Sequence, residues 1–148
     1  MRRLPGRLVA IAVVLVAAYF AGGGQALFHG LLAPGFDSSR SAVGTAFRNH
    51  ETRVQLRGSG HVLRILPDDD SGSRHQRFIL RMASGQTVLI AHNIDLADRV
   101  GSLRRGDTVE FFGEYEWNSK GGVVHWTHRD PSGRHVSGWL RHDGHTYQ

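Results

Sequence analysis

Residues Gly106–His128 (GDTVEFFGEYEWNSKGGVVHWTH) spell out a β-hairpin. From Thr108 to Trp117 the chain alternates. Val109, Phe111, Gly113, Tyr115 and Trp117 fall on one face of an extended strand, and Glu110, Phe112, Glu114 and Glu116 on the other. Asn118–Gly122 (NSKGG) is a polar, glycine-rich loop that reverses the chain, and Val123–His128 returns beside it. An isolated hairpin is marginal in water, so such a segment must find further strands against which to bury its apolar face. The same segment carries more carboxylates, imidazoles and indoles than a scaffold requires. It therefore marks the expected functional surface.

The rest of the chain supplies those strands. Arg53–Leu66 alternates but is interrupted by Gly58-Ser59-Gly60, which predicts a bend that lets one long strand serve two sheets. Pro67–Gly72 is an acidic turn. Arg77–Met82 places Phe78, Leu80 and Met82 on one face and Arg77 and Arg81 on the other, and Gln86–His92 returns as a buried strand. Asn93–Leu103 reads as a short helix, with Asp95 able to cap it, or as an irregular crossover. His135–Leu140 is read as a final short strand. Ahead of the strands, Asp37–Asn49 carries an apolar stripe of Val43, Ala46 and Phe47 and predicts a short helix. This order predicts an all-β domain with small α content: a five-stranded antiparallel OB-like barrel preceded by a short helix.

The N-terminus reads differently. Met1–Arg7 is basic, Leu8–Phe20 is uninterruptedly apolar, and Gly22–Gly24 follow. The thirteen-residue run spans roughly 20 Å as a helix, short of the roughly 30 Å hydrocarbon core. Gly24-Gln25-Ala26 resembles a cleavage site, so residues 1–26 are a cleaved signal peptide or, alternatively, a membrane anchor. Either way the domain is expected outside the cytoplasm, periplasmic or secreted, or anchored at the inner membrane. Residues 27–53 are then a linker with the short helix, and 54–148 the barrel.

Charge and cysteine content narrow the chemistry. The net charge is +5, but without Arg2, Arg3 and Arg7, 15 basic residues stand against 13 acidic. That is weak ground for a nucleic-acid protein, where a clear basic face is expected, so nucleic acid is possible as a partner but not favoured. No cysteine is present, which removes disulfides, thiolate nucleophiles and cysteine-based zinc sites. Ten histidines are the unusual number, and they charge as pH falls through about 6.5.

The candidate ligand-binding residues are His75, Asn93, Glu116, Asn118, His125, His128 and Asp130. No metal or other cofactor is expected; were an ion to bind, His125, His128 and His135 are candidate ligands for zinc or copper. Residues three apart on a strand face opposite sides, so His125 and His128 can share an ion only if the strand bends or ends between them. Tyr115 and Trp117 are assigned to the core and Phe112 to an exposed platform. The glutamates around Phe112 repel phosphate, which disfavours nucleic acid and suits a small ligand, glycan or peptide. Arg77 and Arg81 are expected to pair with Glu110, Glu114 or Glu116. Asp68–Asp70 fail the EF-hand pattern and read as a solvated turn. Gly106-Asp107-Thr108 resembles a tripeptide of secreted thermonuclease-like OB enzymes, but Arg105 stands where a second aspartate would be wanted.

The segments GSGHVLRILPDD, RHQRFIL, IAHNIDLA, GEYEWNSKGGVVHWTH and DPSGRH, with GW and a terminal GHTY, together resemble a bacterial family classed as a domain of unknown function. Its members are small exported or membrane-anchored proteins, and the likeness covers Val54–Gln148. The resemblance implies an OB-like domain in an extracytoplasmic location and brings no activity with it. The expected function is thus an extracytoplasmic OB-like binding module without catalysis. The alternative is a metal-dependent, nuclease-like hydrolase. There His125 or His128 would act as general base or ligand, Glu114 or Glu116 as second acid, and Arg77 as stabiliser.

Overall fold

The computed structural model describes residues 37–148. The expected signal peptide or anchor, and the linker up to residue 36, lie outside the described residues. Helix α1 (Asp37–Arg48) is followed by β1 (Thr52–Asp69), β2 (His75–Met82), β3 (Thr87–Asn93), β4 (Thr108–Glu116), β5 (Val123–His125), β6 (Trp139–His142) and β7 (His145–Tyr147). Among the described residues no helix is long and apolar enough to cross a membrane.

The alternation read in the sequence governs burial. On β2, β3 and β4 every second residue is buried. Phe78, Leu80, Ile90, Val109, Phe111, Tyr115 and Val124 meet inside the barrel, joined by Val43 and Ala46 of α1 and Val100 of the crossover. Phe47 of α1 stacks on Trp117, with ring centroids 6.4 Å apart. Trp117 packs partly buried against this core, as Tyr115 does fully.

The ring closes in the order β1-β2-β3-β5-β4, with β4 pairing back to β1. Strand β1 serves both ends of it: Thr52–His61 pair with β4, and Gly60–Asp69 pair with β2. Gly60 sits where the two partners overlap. A Cβ on Gly60 would stand 2.8 Å from the Arg81 carbonyl oxygen, so only glycine lets the strand pass between its neighbours. The ring is not wholly antiparallel, because β3 and β5 run parallel through Leu89↔Val123 and Ile90↔Val124. Five strands around a closed ring cannot alternate in direction throughout; an odd number forces one parallel neighbour.

Several local expectations are corrected. The returning strand stops at His125 rather than His128, because Trp126 takes a φ of 52° and turns the chain out of the sheet. The strand expected at His135–Leu140 is β6, Trp139–His142, and it turns into a short hairpin with a further strand, β7. Both β5 and β6 pair along the same edge of β4, β5 beside Glu114–Glu116 and β6 beside Glu110–Phe112. They act as one strand interrupted by an excursion, Trp126–Gly138. Of the two forms the sequence allows for the crossover after β3, the irregular one is found and not the helix. Asp95 does not cap it; its carboxylate accepts from the Arg74 backbone N–H and Nε, both at 2.8 Å. Val100 anchors the crossover instead, its N–H donating to Oε1 of the buried Gln76 and its carbonyl accepting from Nε2.

The arginine pairing also differs. Arg77 donates to the Pro67 carbonyl and lies 3.8 Å from Asp69, while Arg57 and Arg141 are the partners of Glu110, at 3.6 and 3.7 Å. The register explains it: Arg57 and Arg141 lie on the strands flanking β4, next to Glu110 or diagonal to it, whereas β2 does not border β4. Such exposed pairs contribute about 0.2–1 kcal/mol each.

Candidate functional site

Two clefts adjoin on the wall built from β2, β3 and β5. One, of about 330 Å³, is lined by Ser73, His75, Asn93, Leu96, His125, Trp126 and His128. The other, of about 290 Å³, is lined by Asp69, His75, Arg77, Ala91, Glu116, Val123 and His125. They share His75 and His125. Strand pairing explains the convergence. His75 begins β2 directly opposite Asn93, which ends β3, and β5 lies on the far side of β3. The wall is the strand 2–3 face, flanked by the loop between β1 and β2 and the loop between β4 and β5, that OB barrels use for ligands.

Of the seven sequence-predicted binding residues, five line these clefts: His75, Asn93, Glu116, His125 and His128. The other two are architectural. Asn118 Oδ1 accepts from the backbone N–H groups of Lys120 and Gly122, at 2.9 and 3.1 Å, and shapes the β4–β5 loop. Asp130 accepts from the N–H groups of Ser132, Arg134 and His135, and these bonds hold its carboxyl well below the ordinary carboxylate range. It ties the excursion into a loop and does not line either cleft. Both are short polar side chains that satisfy nearby backbone donors, a role that composition alone does not distinguish from ligand contact.

The imidazoles have distinct states. His75 Nδ1 donates to the Ser73 carbonyl and His128 Nδ1 to the Arg129 carbonyl, each at 2.7 Å, which fixes the tautomer: a neutral ring so held has Nε2 as its acceptor. His92 lies fully buried behind the wall. Its Nε2 donates to the Asp98 carbonyl at 3.0 Å and its Nδ1 accepts from the Thr127 hydroxyl at 2.8 Å. Burial pushes it down to about 4, against the raising effect of the Asp98 bond, so it is neutral at pH 7. Burial likewise lowers His125, although Glu114 and Glu116 pull it upward. His135 is the opposite case. Desolvation lowers it, but Glu114, the Val136 carbonyl and the Asp130 charge together raise it above its ordinary value. Its Nε2 meets Glu114 and its Nδ1 the Val136 carbonyl, both at 2.8 Å; both nitrogens must donate, which the imidazolium does.

His125, His128 and His135 do not form a set of ligands around one point. The strand ends at His125, His128 follows the turn at Trp126, and His135 is spent on Glu114 while its ring stacks on Trp126 at 4.0 Å. Among the described residues, the donor atoms that converge are those of Glu114, Glu116 and His125, all within 4.8 Å of one another. Hairpin counting was the available signal: Glu114 and Glu116 share a face, and a loop of this length puts His125 opposite Glu114, as it does in the structure. Trp126, Ser73 and Leu96 were missed as lining residues, since only the fold brings them together.

The other sequence features resolve as architecture. Asp107 accepts from the Arg104 N–H and from Nε2 of the buried His142, at 2.7 and 2.9 Å, at the opposite end of β4 from the clefts. Asp68 pairs with Arg99. Phe112 is half-buried beneath Trp139, with ring centroids 6.2 Å apart, and Arg57 and Arg141 lie over the same indole at 5.2 and 5.0 Å.

Residues 31–148 match a family described as "Protein of unknown function (DUF3465)". The match begins well before Val54, so it takes in helix α1 as well as the barrel. No curated protein matches the chain.

Proposed function

We propose that this chain, which belongs to the DUF3465 family, is an extracytoplasmic OB-type binding module, with its site on the β2–β3–β5 wall. The observation that carries this reading is the pair of adjoining clefts joined through His75 and His125. The lining favours a ligand rich in hydrogen-bond donors. Asp69 and Glu116 are carboxylates, and His75 and His128 offer acceptor nitrogens. Sugar hydroxyls and the cationic groups of a peptide meet that demand, whereas phosphodiesters bring more acceptors and negative charge. The leader supports the location: a basic start, a short apolar run, and the small residues Gly24 and Ala26 on either side of Gln25 at the spacing of a cleavage site.

A thermal-shift screen of the full-length chain tests the reading, with chito-oligosaccharides, lysine- and arginine-containing tripeptides and a thymidine oligonucleotide as probes. A ligand at about 100 times its Kd stabilises by about 2.7 kcal/mol. The expected result is a raised Tm with a saccharide or peptide, lost in His75→Ala and in Asn93→Ala, and no shift with the oligonucleotide. An unchanged Tm across the panel, or a shift that survives both substitutions, would remove the proposed site. Turnover of DNA or RNA, abolished in His125→Ala, would replace the binding module by the hydrolase.

A further inference from the structure

We propose that Glu114, Glu116 and His125 form a binding site for one divalent transition-metal ion of the zinc class. The site does not depend on the clefts' taking an organic ligand, because its geometry is internal to one hairpin.

Strand geometry builds the donor set. Glu114 and Glu116 are two apart on β4 and point to the same face, and His125 on β5 is the direct cross-strand partner of Glu114. His125 Nε2 lies 3.6 Å from Glu114 Oε1 and 3.8 Å from Glu116 Oε1. Both separations are too long for hydrogen bonds. The nitrogen is nevertheless buried and has no hydrogen-bond partner. A buried polar atom is normally paired, so this one calls for an explanation. An ion bonded at roughly 2.0–2.2 Å to each donor would bridge these separations with N–M–O angles of roughly 120–130°.

The outer oxygens are already held. Glu114 Oε2 accepts from His135 Nε2 at 2.8 Å, and Glu116 Oε2 accepts from the Thr52 hydroxyl at 3.0 Å. Each carboxylate therefore has one oxygen fixed from outside and the other turned toward His125, the outer-shell arrangement that orients metal ligands. The mixed nitrogen and oxygen donors suit zinc better than calcium or magnesium, which take oxygen ligands throughout. Three protein ligands leave a fourth position for water or a donor atom from the cleft that Glu116 and His125 line.

The test uses the full-length chain, produced without a histidine tag and stripped with a chelator. Zinc is titrated calorimetrically, and cobalt(II) is added in parallel as a spectroscopic stand-in. The expected result is one zinc per chain, and a visible cobalt spectrum of four-coordinate intensity. Glu116→Gln keeps an oxygen for Thr52, and His125→Ala removes the nitrogen; each should weaken zinc by at least about tenfold and abolish the cobalt spectrum. His145→Ala, on the exposed β7 hairpin, should leave both unchanged. No saturable zinc uptake, a six-coordinate cobalt spectrum in the wild-type chain, or uptake equal in the wild type and both site variants would overturn the proposal. Because the wild-type cobalt spectrum is itself diagnostic, the outcome does not depend on every variant folding.

Discussion

Gln76 shows how much a single buried amide can hold. It satisfies both the N–H and the carbonyl of Val100, at 2.9 and 3.0 Å, and so fastens an irregular crossover to β2. Replacing it by leucine leaves two buried backbone groups unpaired, each costing about 1–3 kcal/mol. Urea unfolding of Gln76→Leu should show a loss of about 2–4 kcal/mol, partly offset by the added apolar contact. A loss within 0.5 kcal/mol, roughly the scatter of surface substitutions, would show that the crossover is held by other contacts. Residue type alone did not reveal this role, nor did it separate Asn118 and Asp130, which serve backbone donors, from His75 and Asn93, which line a cleft. The distinction depends on which N–H groups lie nearby.

The β4–β5 hairpin is the element on which the site depends, because its register sets His125 opposite Glu114. That register is fixed by the loop, and the loop by Asn118 and Gly122. Gly122 has a φ of 88°, and a side chain there would run into the ring of the fully buried Tyr115, whose hydroxyl donates to the Gly121 carbonyl. Gly122→Ala combines left-handed strain of about 1–2 kcal/mol with overpacking of about 1–3 kcal/mol. We expect a loss of about 2–5 kcal/mol in chemical denaturation. Wild-type stability in this variant would mean that the loop has slack and does not dictate register. Alternation and the NSKGG loop made both strands legible in the sequence. The early end of β5 was not, because nothing in Val123–His128 by itself announces the turn at Trp126.

For the whole molecule, pH is the telling variable. His92 is buried neutral, with its pKa pushed from 6.5 to about 4 by burial. Between those values the unfolded chain binds the extra proton, so stability falls as pH drops through the window, by an amount of order 3 kcal/mol. His125 acts in the same direction, and His135, whose pKa is raised, partly offsets it. The lowered aspartates Asp69, Asp95, Asp107 and Asp130 lose their contribution as pH falls through their own folded values, below 3.8 and so beneath this window. Stability curves measured from pH 7 to pH 4 should therefore slope downward toward acid, and His92→Gln should flatten them. A flat wild-type curve would show that His92 titrates normally. Local pattern alone carried β1 to β4, the β4–β5 hairpin and the barrel class, since each follows from alternation or turn chemistry over a few adjacent residues. Long-range packing was needed to set β3 and β5 parallel, to take Trp126–Gly138 out of the sheet and return His135 to Glu114, and to bring His75, Asn93 and His125 together. Those outcomes depend on ring closure and on contacts between distant segments, and no local pattern encodes them.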